Sequence, residues 1–141
     1  MTQRAETTHQ DGPAGKHAPH FHVVGQASAF PPGSHRIVEI NRQRIGIYNV
    51  GGTFHAMLNV CPHQFGPLCE GKVGGEMVCN ADTDWKFQLR REGEIVICPW
   101  HGLEFDLKTG VCLATKDFRV RRFDVEVVAD EVRVYLLPKS A

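Results

Sequence analysis

The chain has 141 residues, and its 16 lysines and arginines are balanced by 16 aspartates and glutamates. Zero formal charge excludes the strongly basic face that gathers nucleic acid or anionic lipid. Apolar runs are only a few residues long, against roughly 20 for a helix that spans a bilayer, so neither a nucleic-acid nor a membrane partner is expected.

Residues 1–20, MTQRAETTHQDGPAGKHAPH, combine Gly, Pro, His, Thr and Gln without a hydrophobic period. This composition predicts a flexible tail. It contains no apolar signal region, which makes the cytoplasm the expected location.

Short strands follow, separated by turn chemistry. FHVVG (21–25) is the first, PPGS (31–34) turns the chain, and HRIVEI (35–40) is the second. NRQ leads into RIGIYNV (44–50), and Gly51-Gly52 joins that run to TFHAML (53–58) as a hairpin. Near the end, FDVEV (123–127), ADE (129–131) and VRVYL (132–136) read as a second hairpin, apolar and charged residues alternating on its strands. No segment of helical length has an amphipathic period. With 14 glycines and 8 prolines, the expected fold is all-β, a small barrel or sandwich. Residues 21–137 would form one domain.

Between the hairpins, in residues 59–115, alternation fails and glycine, proline, cysteine and tryptophan cluster. This stretch reads as a loop-built subdomain inserted into the scaffold. EIVIC (94–98) and EFDLKTGVCL (104–113) supply its strands, the latter turning at Lys108–Gly110. Residues 74–94 contain two further short strands, MVC and WKFQL, around an Asn80–Asp84 turn. They read as a hairpin excursion that covers the site, docks a partner or merely decorates the surface. Gly71–Gly75 reads as a flexible loop, not a nucleotide-binding turn, because no G-x-G-x-x-G follows a strand.

Cys61, His63, Cys98 and His101 stand out as C-x-H and C-x-x-H. Five cysteines, an odd number, argue against a complete disulfide framework, and in a reducing compartment Cys/His pairs point to metal. Thiolates select zinc, copper(I) or iron–sulfur centres. Zinc would take all four ligands on one tetrahedral ion. A [2Fe–2S] centre with mixed ligands would place both thiolates on one iron and both imidazoles on the other. Structural zinc loops usually group like ligands, whereas each loop here mixes them, which favours the two-iron arrangement. His9, His17, His20, His22, His35 and His55 are read as ordinary residues. Cys69, Cys79 and Cys112 are read as free thiols, semi-buried or facing the core. Trp85 and Trp100 are expected to pack around the site.

CPHQFGPLCEG and CPWHGLEFDLKTG resemble the Rieske [2Fe–2S] family. The first matches its C-x-H-x-x-x-x-L box up to Leu68, and the second its C-x-x-H-G box with Gly102, Phe105-Asp106 and Thr109-Gly110. The resemblance implies one [2Fe–2S] cluster held by Cys61, His63, Cys98 and His101, with the imidazoles at the solvent-facing tip. Members from respiratory complexes carry a loop-to-loop disulfide at the positions of Gly66 and Trp100, so that bridge is absent here. They also place serine and tyrosine hydroxyls near the sulfur where this chain has Leu103 and Phe105. Fewer donors imply a potential toward the low end of the family range, about −150 mV. No histidine follows His101, so the catalytic iron site of the family's oxygenases is not expected. Many members shield the cluster with a proline-bearing third loop, and this chain has no proline between Pro99 and Pro138. Trp100 or the 74–94 excursion is expected to take over that shielding.

The implied function is single-electron transfer without a catalytic site: a ferredoxin component whose partners are a reductase and a terminal oxygenase or reductase. The alternatives are a permanently bound accessory subunit of a larger redox enzyme and a zinc-stabilised binding module.

Overall fold

The computed structural model describes residues 2–4, 6–8 and 20–137. Among the described residues the regular structure is strands and single 3-10 turns, and no helix is long and apolar enough to cross a membrane. The strands are β1 (Thr2–Arg4), β2 (Glu6–Thr8), β3 (Phe21–Gln26), β4 (His35–Ile40), β5 (Gln43–Val50), β6 (Thr53–Leu58), β7 (Val73–Val78), β8 (Gln88–Ile97), β9 (Glu104–Asp106), β10 (Arg122–Val128) and β11 (Glu131–Tyr135). The chain divides into two compact units. Val60–Val120 forms one, and the residues before and after it form the other.

The scaffold unit is an eight-stranded sheet in the order β1-β4-β5-β6-β10-β11-β3-β2. Because β1 and β2 are neighbours in sequence yet occupy opposite margins, the sheet is a nearly closed barrel. Its hairpins share one local solution. Ile40 pairs with Gln43, Val50 with Thr53 and Val128 with Glu131, leaving two-residue loops. Both residues of each loop have positive φ: Asn41 and Arg42, Gly51 and Gly52, Ala129 and Asp130. That backbone matches the right-handed twist of the flanking strands. The apolar residues of the alternating runs meet in one core that includes Val38, Ile40, Ile45, Ile47, Phe123, Val132 and Val134. Asn49 is buried among them but satisfied, since its Nδ2 donates to the Phe30 carbonyl at 2.6 Å and its Oδ1 accepts from the Gly52 N–H at 2.8 Å.

Two expectations need correction. Thr2–Arg4 pairs in parallel with β4, and Glu6–Thr8 antiparallel with β3, although residues 1–20 read as a tail. A sheet margin offers a row of unpaired N–H and C=O groups, which any extended segment can satisfy without a hydrophobic period. Residues 9–19 lie outside the described residues. Gly71–Gly75, read as a loop, gives its last three residues to β7.

The second unit is a three-stranded sheet in the order β7-β8-β9. Residues 74–94 lie in β7, the turn after it and the first part of β8. The turn is a 3-10 segment, Ala81–Thr83, capped reciprocally by Asn80 and Thr83. β8 begins at Gln88, so Trp85–Phe87 of the expected WKFQL strand belong to the turn. Between the pairs Gly74–Ile95 and Glu76–Arg90 the register shifts, and Arg91 and Gly93 in the bulge have positive φ. Arg91 ties this bulge down by bonding Glu94 at 3.2 Å and Asp106 of β9, while Lys108 reaches Glu94 at 3.3 Å.

Candidate metal centre

The two Cys/His loops use the same backbone turn. In the first, the Cys61 N–H donates to the Gly66 carbonyl at 2.8 Å, and the Phe65 N–H donates to the Cys61 carbonyl at 2.7 Å. In the second, the Cys98 N–H donates to the Leu103 carbonyl at 2.8 Å, and the Gly102 N–H donates to the Cys98 carbonyl at 2.9 Å. Each cysteine therefore opens a loop closed on the fifth residue after it, with the fourth in left-handed backbone: Phe65 at φ 63° and Gly102 at φ 74°. Cys61 and Cys98 are equivalent positions, whereas His63 and His101 stand two and three residues further on.

This arrangement brings like with like. The Cys61 and Cys98 side chains, each 2% exposed, lie side by side. Burial pushes the Cys61 thiol above its ordinary pKa, and Cys98 beside it adds to the rise, against the pull of N–H groups donated by His63 and Gln64. The imidazoles of His63 and His101 lie 5.1 Å apart, centroid to centroid, at 86°. His63 Nδ1 is buried without a hydrogen-bond partner. A single tetrahedral zinc needs four donors on one centre. A thiol pair and an imidazole pair suit two linked irons, and an unpartnered imidazole nitrogen suits a ligand, so the residues fit a [2Fe–2S] cluster.

Aromatic residues frame the loops. The Trp100 ring lies against Gly66, where a Cβ would stand 2.7 Å from the indole. Those are the two positions that a disulfide links in the family's members from respiratory complexes. Phe118, which nothing in the sequence pattern singled out, meets His63 edge-on at 5.4 Å. Its signal is weak because TKDFRV has neither alternation nor a ligand-type neighbour. Trp85 does not pack around the site, being 70% exposed in the turn after β7. That turn joins β7 to the start of β8, the end of the strand opposite Cys98. Cys69 and Cys112 are buried thiols, whereas Cys79 is exposed, contrary to its expected inward position. The strand ends before it, so alternation no longer decides its direction.

Residues 20–124 match the family model of the Rieske [2Fe-2S] domain. The chain is 27% identical over 113 residues to ferredoxin CarAc of Metapseudomonas resinovorans, covering 79% of this chain and 89% of that one. A solved complex of reduced oxygenase and oxidised ferredoxin in carbazole 1,9a-dioxygenase contains a chain 28% identical, with a TM-score of 0.62 over 82% of this chain and 92% of the other. The ferredoxin of carbazole 1,9a-dioxygenase from Nocardioides aromaticivorans IC177 shares the fold, with a TM-score of 0.59 at 23% identity, covering 80% of this chain and 94% of that one. With its ligand-type loops paired and the family model spanning most of its length, this chain belongs to the Rieske [2Fe-2S] domain family, which implies one [2Fe–2S] cluster.

Proposed function

We propose that this protein is a one-electron carrier, a Rieske-type ferredoxin that takes electrons from a reductase and delivers them to a terminal oxygenase or reductase. The observation that carries this reading is the pairing of Cys61 with Cys98 and of His63 with His101 in a chain of this family. Cys61 and Cys98 would hold the buried iron and His63 and His101 the outer one. The cluster, when bound, supplies reversible one-electron chemistry. The protein's own contribution is positional. The buried cysteines keep one end dry, the N–H groups of His63 and Gln64 donate to the Cys61 sulfur, and the exposed His101 offers a short exit to a docked acceptor. Residues 21–137 act as a single domain, with the loop-built subdomain carrying the cluster. Cysteines that form no disulfide with one another suit a cytoplasmic setting. Relatives that work with an oxygenase support the choice of acceptor.

Two measurements test the reading. The reduced protein should show the electron paramagnetic resonance of a [2Fe–2S] centre and pass its electron to a Rieske oxygenase in rapid mixing. With Leu103 and Phe105 in place of hydroxyl donors, its midpoint should lie toward the low end of the family range, about −150 mV. A colourless, zinc-bearing protein or a clearly positive midpoint is incompatible with this assignment.

A further inference from the structure

The two imidazoles have different surroundings. His63 is half-buried, and its ring is met on two sides, by Phe118 at 5.4 Å and 70° and by His101 at 5.1 Å and 86°. His101 is exposed. Edge-on ring contacts at these separations are attractive and directional. An imidazole held between two of them keeps one orientation about its soft Cβ–Cγ torsion, which is otherwise broad.

Phe118 is itself fixed through the backbone. Its carbonyl accepts the Cys112 N–H at 3.0 Å, Val111 bridges to Arg119, and the Val120 N–H donates to the Gly110 carbonyl at 2.9 Å. The segment is thereby latched to the chain that follows β9. β9 pairs with β8, the strand that runs into Cys98. Phe118 is thus placed by the same sheet that places the second loop, while its ring acts on a residue of the first.

We propose that Phe118 is a positioning residue for the cluster: it fixes the His63 ring and keeps water from that side, so that the two imidazoles are inequivalent and His101 is the solvent-facing one, without a second ring to hold it. This rests on the reading of His63 and His101 as ligands. Groups that orient a metal-bound imidazole typically change metal retention by about 10–100-fold when removed.

The test uses the reduced holoprotein, with Phe118→Ala, Phe118→Leu and Phe118→Tyr beside the parent. Pulsed electron–nuclear resonance reads the imidazole nitrogen couplings, and bleaching under excess iron chelator reads cluster loss. The parent should show two distinct nitrogen couplings, one narrow and one broad. Phe118→Ala should broaden the narrow coupling, leave the other unchanged and bleach about tenfold faster. Phe118→Tyr, which keeps the ring edge, should restore both readouts. Faster bleaching with unchanged couplings, or no change in either, overturns the positioning role. If Phe118→Ala assembles no cluster, Phe118→Leu decides, since it fills space without a ring edge. A broadened coupling there supports the proposal, and parental couplings overturn it. Absence of any imidazole nitrogen coupling in the parent overturns the ligand assignment itself, separately from Phe118.

Discussion

Phe65 and Gly66 show how much the first loop depends on single residues. Phe65 holds φ at 63° where the second loop uses Gly102, and left-handed backbone costs a non-glycine residue about 1–2 kcal/mol. Its side chain is 76% exposed, so little packing offsets that cost. Phe65→Gly should therefore raise stability by roughly 0.5 kcal/mol, the released strain exceeding the entropy that glycine adds to the unfolded chain. A urea midpoint lower than the parent's would contradict this. At the next position the balance reverses. Gly66→Ala places a methyl against the Trp100 ring and should cost about 1–3 kcal/mol. Adding Trp100→Ala should recover most of that loss, because the two sites share one contact. Additive losses in the denaturation cycle would place the fault elsewhere. Neither effect was legible from the residues alone. C-P-H-Q-F-G marks a Cys/His loop, but which residue takes the left-handed position, and that Trp100 lies over Gly66, follow from the loop's closure.

At the level of elements, the β7–β8 bulge is held by charge. Asp106 is raised by burial, yet its bond from Arg91 and the N–H of Lys108 bring it below its ordinary value of 3.8. Glu94 is lowered by Arg91 and Lys108 from 4.5. Carboxylates with depressed pKa values stabilise the fold above their ordinary values and lose that contribution as the pH falls through the lowered ones. The contribution of this network should thus be constant at neutral pH and decline in acid below about pH 4.5. In Arg91→Ala the Asp106 carboxyl keeps its burial and loses its cation, so its titration should move upward. Carbon-detected magnetic resonance reads that titration directly, and an unmoved Asp106 would rule the network out. The hairpins of the scaffold were readable because alternation and two-residue turns are local properties. The bulge was not, because Arg91, Glu94, Asp106 and Lys108 meet only once β8 and β9 pair.

Over the whole molecule, the chain forms two compact units. The scaffold unit has a contiguous apolar core. The Val60–Val120 unit also carries four ligand-type side chains, and a bound metal stabilises only the state that binds it. Stripping the cluster should therefore speed amide exchange within Val60–Val120, most at Phe65 and Gly102, while Ile45 and Ile47 in β5 stay protected. Uniform loss of protection would show that the scaffold also depends on the cluster. By itself the sequence determined the all-β scaffold and the family, since alternation, turn residues and the C-x-H and C-x-x-H boxes are short-range patterns. Tertiary structure alone decided the rest: thiol beside thiol, imidazole beside imidazole, Trp100 over Gly66, Phe118 against His63 and Trp85 turned to solvent. Those neighbours come from separate stretches of chain, so only the register of β8 with β7 and β9 and the matching closure of the two loops bring them into contact.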